Sequence, residues 1–220
     1  QLDHLLERGL LWYAPGGRLK QLIHFEGEVD FAEKLPGPGM WLVPHFMGLD
    51  VAGMASQLFQ TRQVASIYQR QSNAVFDDAM KKGRLRFGRA EIFSRHEKAL
   101  PLVRAIKRGA VFLNLPDMDF GRNDSLFVPF FGVPAATVPS LSRFARLGRA
   151  KVIGMATRLV PGGYVAEITP AWEHYPTDDL EADTAEMNRR LEQWIAPEPG
   201  QYYWVHKRFK TRPEGEPGLY

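Results

Sequence analysis

No cysteine occurs in the 220 residues. That removes disulfides, thiolate nucleophiles and Cys-ligated metals, and it is compatible with a reducing compartment. Long hydrophobic runs are missing too: nowhere do eighteen apolar residues follow one another, so nothing within the chain is expected to span a bilayer. There is no internal repeat, no low-complexity tract and no linker, and one domain over residues 1–220 is the simplest account. A large net charge is also lacking. The 28 Lys+Arg against 25 Asp+Glu leave +3, too little to imply a nucleic-acid partner. No serine sits in a G-x-S-x-G elbow, so a serine-based acyl-enzyme is not expected. The chain starts at Gln1 rather than Met; a native membrane anchor or signal ahead of it would be missing from this chain.

What is present suffices for a sizeable core. The positive charge is unevenly spread. Residues 81–108 carry Lys81, Lys82, Arg84, Arg86, Arg89, Arg95, Lys98, Arg104, Lys107 and Arg108 against only Glu91 and Glu97. A second cluster, Lys207, Arg208, Lys210 and Arg212, lies near the end.

Apolar periodicity predicts a helix over 3–12, ended by Pro15-Gly16-Gly17, and a strand within 21–29. Strands follow at 40–44, 64–68, 90–94 and 110–115. Between them lie helices at 48–60, 73–83 (stopped by Gly83) and 96–108, where Pro101 is tolerable only near the first turn. A long loop runs from Pro116 to about Ala136, and its length is itself a functional hint. A helix at 138–147, a hairpin of 151–159 with 164–170, a helix at 181–195 and a further helical stretch at 199–209 complete the chain. Strands alternating with helices predict an α/β domain. Its central sheet is mixed, partly parallel and flanked by helices.

The chemistry centres on an H-x4-D pair, His45 and Asp50. In an uninterrupted helix five steps turn about 500°, leaving the two side chains roughly 140° apart. They meet only if His45 stands in the strand-to-helix bend and Asp50 in the first helical turn, with Gly48 supplying freedom at the bend. A carboxylate on one imidazole nitrogen then fixes the tautomer and stabilises the imidazolium, giving a general base suited to a hydroxyl. A bare H-x4-D is a weak signal, since an Asp near a helix start also satisfies the helix dipole.

Its surroundings raise it. The stretch WLVPHFMGLD (41–50) resembles the active-site segment of the lipid A late acyltransferases, within the lysophospholipid and glycerolipid acyltransferase superfamily. SIYQRQSN (66–73), NLPDMDFGRND (114–124), FVPFFGVPAAT (127–137) and QYYWVHKRFKTRPEGE (201–216) resemble further family segments in the same order, from about residue 22 to the end. The chain departs from the wider superfamily in lacking an E-G-T-R-type block. It departs from many lipid A members in carrying Asp50 where they carry Glu. The resemblance implies a glycerolipid acyltransferase-like fold and catalysis by His45 and Asp50. It implies acyl-acyl carrier protein as donor, a membrane glycolipid hydroxyl as acceptor, and no metal or organic cofactor. Work at the cytoplasmic face of the inner membrane follows from the same reading.

Other residues join the candidate site. Arg70, after a core strand, is expected to hold an acceptor phosphate or the oxyanion. Asn73 is a substrate-binding candidate or a helix N-cap. Asp117 and Asp119 are expected to orient substrate or pair with arginines, rather than bind metal. The run Phe127, Pro129, Phe130 and Phe131 is expected to line an acyl channel or to pack as core. The basic clusters are expected to meet anionic headgroups or the acidic carrier protein. His206 reads as structural. Competing readings are an acyltransferase for another glycolipid or a lysophospholipid, a non-catalytic membrane or carrier-protein binding module, and a thioesterase-like hydrolase.

Overall fold

A computed structural model describes residues 2–95 and 99–220, with side chains from Glu7 onward. The predicted strands of the α/β pattern assemble into one seven-stranded sheet, in the order β1-β9-β8-β2-β5-β3-β4. These are β1 (Ile23–Glu26), β2 (Gly39–Leu42), β3 (Val64–Tyr68), β4 (Ala90–Ser94), β5 (Val111–Asn114), β8 (Lys151–Val160) and β9 (Gly163–Ile168). From β8 to β4 every neighbouring pair is parallel. The β8–β9 hairpin is antiparallel, and β1 runs parallel to β9 at the edge.

Side-chain alternation along the strands builds two cores. Along β2 and the residue after it, Met40 and Leu42 face one core while Trp41 and Val43 face the other. The Trp41 side is covered by α1 (Leu2–Tyr13), α2 (Gly16–Leu22), α3 (Leu49–Phe59) and α4 (Ala74–Leu85). The Met40 side is covered by α5 (Ala99–Lys107), α6 (Ser140–Gly148) and α7 (Leu180–Ile195). The result is a three-layer α/β/α domain, which is how a mostly parallel sheet hides both faces.

Local details correct the expectations in four places. Pro15-Gly16-Gly17 follows the end of α1 as expected, but Gly16 then opens a further short helix, α2, ahead of β1. The helix of residues 73–83 runs past Gly83 to Leu85. Gly83 is a packing position: a Cβ there would meet Trp12 Cγ at 2.3 Å. The long loop after Pro116 is only partly loop, because residues 126–137 form a separate hairpin of β6 (Leu126–Phe130) and β7 (Val133–Thr137). The stretch 199–209 holds two 3-10 turns, Pro199–Gln201 and Trp204–His206, rather than one helix. The start of the 96–108 helix, with Glu97 and Lys98, lies outside the described residues; Pro101 does sit in the first turn of α5.

Candidate active site

His45 lies three residues beyond Leu42, the last residue of β2. Asp117 lies three residues beyond Asn114, the last residue of β5. Leu42 and Asn114 are register partners in adjacent parallel strands, so the two side chains emerge together at the carboxyl edge of the sheet. That edge is where open α/β sheets place their sites. Asp117 is fully buried and grips His45 twice. One carboxylate oxygen faces imidazole Nδ1 at 2.6 Å, and the other accepts the His45 backbone N–H at 2.8 Å. Burial alone would raise the Asp117 carboxyl. The facing His45, its two hydrogen bonds and the more distant His206 outweigh that and hold it at about 2. With Nδ1 engaged, Nε2 is the nitrogen left to take a proton.

Asp50 is placed as expected in the first turn of α3, with His45 outside the helix. Its carboxylate does not reach the imidazole. Arg8 donates to one oxygen at 2.9 Å and Arg84 to the other at 3.3 Å, tying α3 to α1 and α4. Two guanidinium groups on that side draw the short side chain away from His45, whose Nδ1 Asp117 has taken. Burial raises the Asp50 carboxyl, but Arg84 and Arg8 bring it below its ordinary value. Glu7 borders the same cluster; burial and the Asp50 charge push it up to about 7.

Gly48 has a role other than freedom at the bend. Its φ is −84°, open to any residue, but a Cβ would lie 3.0 Å from the Thr157 carbonyl oxygen. The Thr157 hydroxyl donates to the Gly48 carbonyl at 2.7 Å, so α3 starts hard against β8.

A cavity of about 590 Å³ opens beside His45 and runs between α3 and the sheet. Leu49, Asp50, Gly53, Met54 and Gln57 supply one helical face. Val64, Ser66, Ala90 and Ile92 supply alternate positions of β3 and β4. At 1.5 Å per residue, the α3 wall from Leu49 to Gln57 is about 12 Å long. Leu115, Pro116, Met118 and Phe120 frame the mouth with Arg95, whose guanidinium lies 4.0 Å from the Phe120 ring. The lining is mostly apolar, with the few polar groups typical of a ligand site.

The other candidates fall elsewhere. Arg70 is exposed after β3 and does not line the cavity. Asn73 caps α4, accepting from the Val75 and Phe76 N–H groups at 3.0 Å each. Asp119 accepts from Gly121 N, Thr211 N and Thr211 Oγ1 at 2.8–2.9 Å, fastening the C-terminal segment to the loop after β5. Phe127, Pro129, Phe130 and Phe131 are not cavity walls; Phe130 is core.

Three groups near His45 were not expected in the site. Tyr202 donates its hydroxyl to the Asp117 carbonyl at 3.1 Å. Tyr203 N donates to the His45 carbonyl at 2.9 Å. The His206 ring centroid lies 6.2 Å from that of His45; both its nitrogens are buried, and burial lowers its pKa. The signal for Asp117 was in the sequence: an Asp three residues past a core strand, as His45 is past its own.

The structure thus sets a histidine–carboxylate pair at the sheet edge beside a mostly apolar cavity. The family model of bacterial lipid A biosynthesis acyltransferases matches residues 4–211. The chain is 34% identical over 221 aligned positions to a lipid A biosynthesis palmitoleoyltransferase of Escherichia coli K12, covering 98% of this chain and 71% of the relative. A lauroyltransferase of that organism is 33% identical with the same coverage. A myristoyltransferase is 32% identical over 80% of this chain and 55% of the relative. The chain belongs to the bacterial lipid A biosynthesis acyltransferase family, and it is an O-acyltransferase.

Proposed function

We propose that the protein moves a fatty acyl group from acyl-acyl carrier protein to a hydroxyl of a lipid A precursor. His45 is the general base. The observation that carries the reading is its position: clamped by Asp117 on one side and at the mouth of the apolar cavity on the other.

In this mechanism the acyl chain lies between α3 and the sheet, with its thioester carbonyl beside His45. Nε2 takes the proton of the acceptor hydroxyl as that oxygen attacks the carbonyl carbon. The Asp117 carboxylate stabilises the imidazolium that forms. The tetrahedral intermediate collapses, the carbon–sulfur bond breaks, and the leaving thiolate recovers the proton from His45. Asp50 acts one step back, holding α3 against α1 and α4 and so fixing the cavity wall. Arg70 and Arg95, at the carboxyl ends of β3 and β4, are the cations available to acceptor phosphates. No cofactor beyond the acyl donor is needed. The enzyme works against the membrane that holds its acceptor.

The test is transfer from a panel of acyl-acyl carrier proteins to purified Kdo-lipid A precursor in detergent, followed by mass spectrometry. Addition of one acyl chain, lost in His45→Ala, is expected. Acylation of a lysophospholipid but not of the precursor would move the enzyme to another acceptor. Free fatty acid as the sole product would make it a hydrolase.

A further inference from the structure

We propose that the protein docks on an anionic lipid bilayer through an aromatic edge beside the active site. That edge is built from the tip of the β6–β7 hairpin and the 3-10 turn Trp204–His206. The proposal rests on the reading that the acceptor is a membrane lipid.

Phe131, Trp204 and Val205 are exposed at 42%, 37% and 68%. They are neighbours: the Phe131 and Trp204 rings are 6.4 Å apart, and both pack on buried Phe130. Other strongly exposed apolar side chains are dispersed: Tyr13, Val75, Leu100 and Leu147 sit on four separate helices, and Leu219 and Tyr220 at the last two positions. Phe131 has φ +48° at the hairpin tip, a left-handed conformation unfavourable for a bulky side chain. The fold therefore holds an aromatic ring outward in a strained position, without burying it. Trp204 Nε1 already donates to the Pro199 carbonyl at 2.8 Å, so its ring can enter an apolar phase without orphaning its one donor.

Charge selects the occupant. Lys207 and Lys210 are exposed next to the Trp204–His206 turn; Lys207 lies 5.6 Å from the Tyr220 ring, and neither lysine is in an ion pair among the described residues. Two nearby carboxylates are paired with arginines, Glu198 with Arg158 at 3.5 Å and Glu216 with Arg212; Glu192 accepts the Phe131 N–H at 2.7 Å, and Glu214 is exposed. Aromatic rings flanked by lysines suit the headgroup layer of an anionic bilayer. The basic stretch on α4 is a poorer candidate, because its cations are committed internally. Lys81 pairs with Asp77, Lys82 with Asp78, and Arg84 with Asp50; Arg86 donates to the carbonyls of Leu11 and Ala14.

The edge is fastened to the segment that carries the base. Tyr203 N donates to the His45 carbonyl, and Met47 N to the Gln201 carbonyl at 2.7 Å. Docking through it places His45 at the bilayer surface.

Co-sedimentation of the chain with vesicles of phosphatidylethanolamine and phosphatidylglycerol at physiological salt tests this. Wild-type protein is expected to bind. The double variant Phe131→Ser/Val205→Ser is expected to lose about tenfold or more in partitioning, while keeping its thermal midpoint and its transfer to a detergent-dispersed acceptor. Lys81→Ala/Lys82→Ala is expected to bind like wild type. The proposal is overturned if wild type does not bind vesicles, or if the aromatic variant binds as wild type does. It is equally overturned if that variant loses acyl carrier protein binding instead. Detergent transfer reads the catalytic proposal separately: a chain inactive there yet bound through this edge would sink that reading and leave this one.

Discussion

Asp50, in the first turn of α3, and Asp117, just past β5, are both shielded from solvent and both held ionised. What holds the charge differs. Asp50 is neutralised by Arg84 and Arg8, two cations that keep their charge at any working pH. Asp117 faces the His45 imidazole, the group that takes up and gives back a proton in the mechanism proposed above. Only the second carboxylate can respond to a proton moving on and off its partner. The first is a fixed strut between helices. Adjacency in sequence therefore pointed to one carboxylate, and strand register delivered another.

The largest expected break in this comparison is His45→Ala. Transfer should fall by about 10³-fold or more in kcat/KM. The fold should survive but weaken by about 1–3 kcal/mol, because Asp117 is left buried without its partner. Denaturant unfolding together with transfer kinetics checks both. Asp50→Ala should leave transfer far less affected while costing a similar amount of stability, since Arg8 and Arg84 lose their shared anion at a half-buried site. A loss of transfer equal to that of His45→Ala, with stability intact, would reverse the two roles.

Stability against pH sharpens the contrast further. The folded Asp117 carboxyl sits near 2, below its ordinary 3.8. A depressed carboxyl stabilises the fold above the unfolded pKa, and that contribution fades as pH falls from about 4 through 2. The shift corresponds to about 2 kcal/mol. The stability gap between wild type and Asp117→Asn should therefore narrow on acidification over that window. A gap independent of pH would mean the carboxylate is not held by a charged partner. The smallest effect on transfer is expected for Asp119→Ala. It removes three hydrogen bonds that fasten Thr211 and Gly121, costs about 1–3 kcal/mol of stability, and lowers transfer by less than tenfold. Thermal unfolding and steady-state rates check it.

Much of the architecture was legible because apolar periods are local. The strands at 40–44, 64–68 and 90–94 and the helices at 48–60 and 181–195 follow from spacing alone, and the structure has all of them. Position of His45 ahead of its helix was legible for the same reason. The identity of its partner was not, because it depends on which strand lies beside β2, a long-range fact. Gly83 shows the same limit. Glycine near a helix end reads as a stop, yet here it is the ring of Trp12, 71 positions earlier in the chain, that requires it. Long cationic stretches mislead likewise: Arg84 and Arg86 serve internal bonds, and Arg208 is fully buried, donating to Ala136 and Thr137.

The central claim is that Asp117, not Asp50, acts through the His45 imidazole. The most direct test is the rate of acyl transfer by Asp117→Asn and Asp50→Asn, measured side by side across pH with both proteins confirmed folded. The account predicts a loss of about 10²-fold or more for Asp117→Asn at every pH, because an amide cannot stabilise the imidazolium. It predicts a loss of less than about tenfold for Asp50→Asn, which still offers an acceptor to Arg8 and Arg84. Near wild-type transfer by Asp117→Asn, with transfer abolished in folded Asp50→Asn, would contradict it.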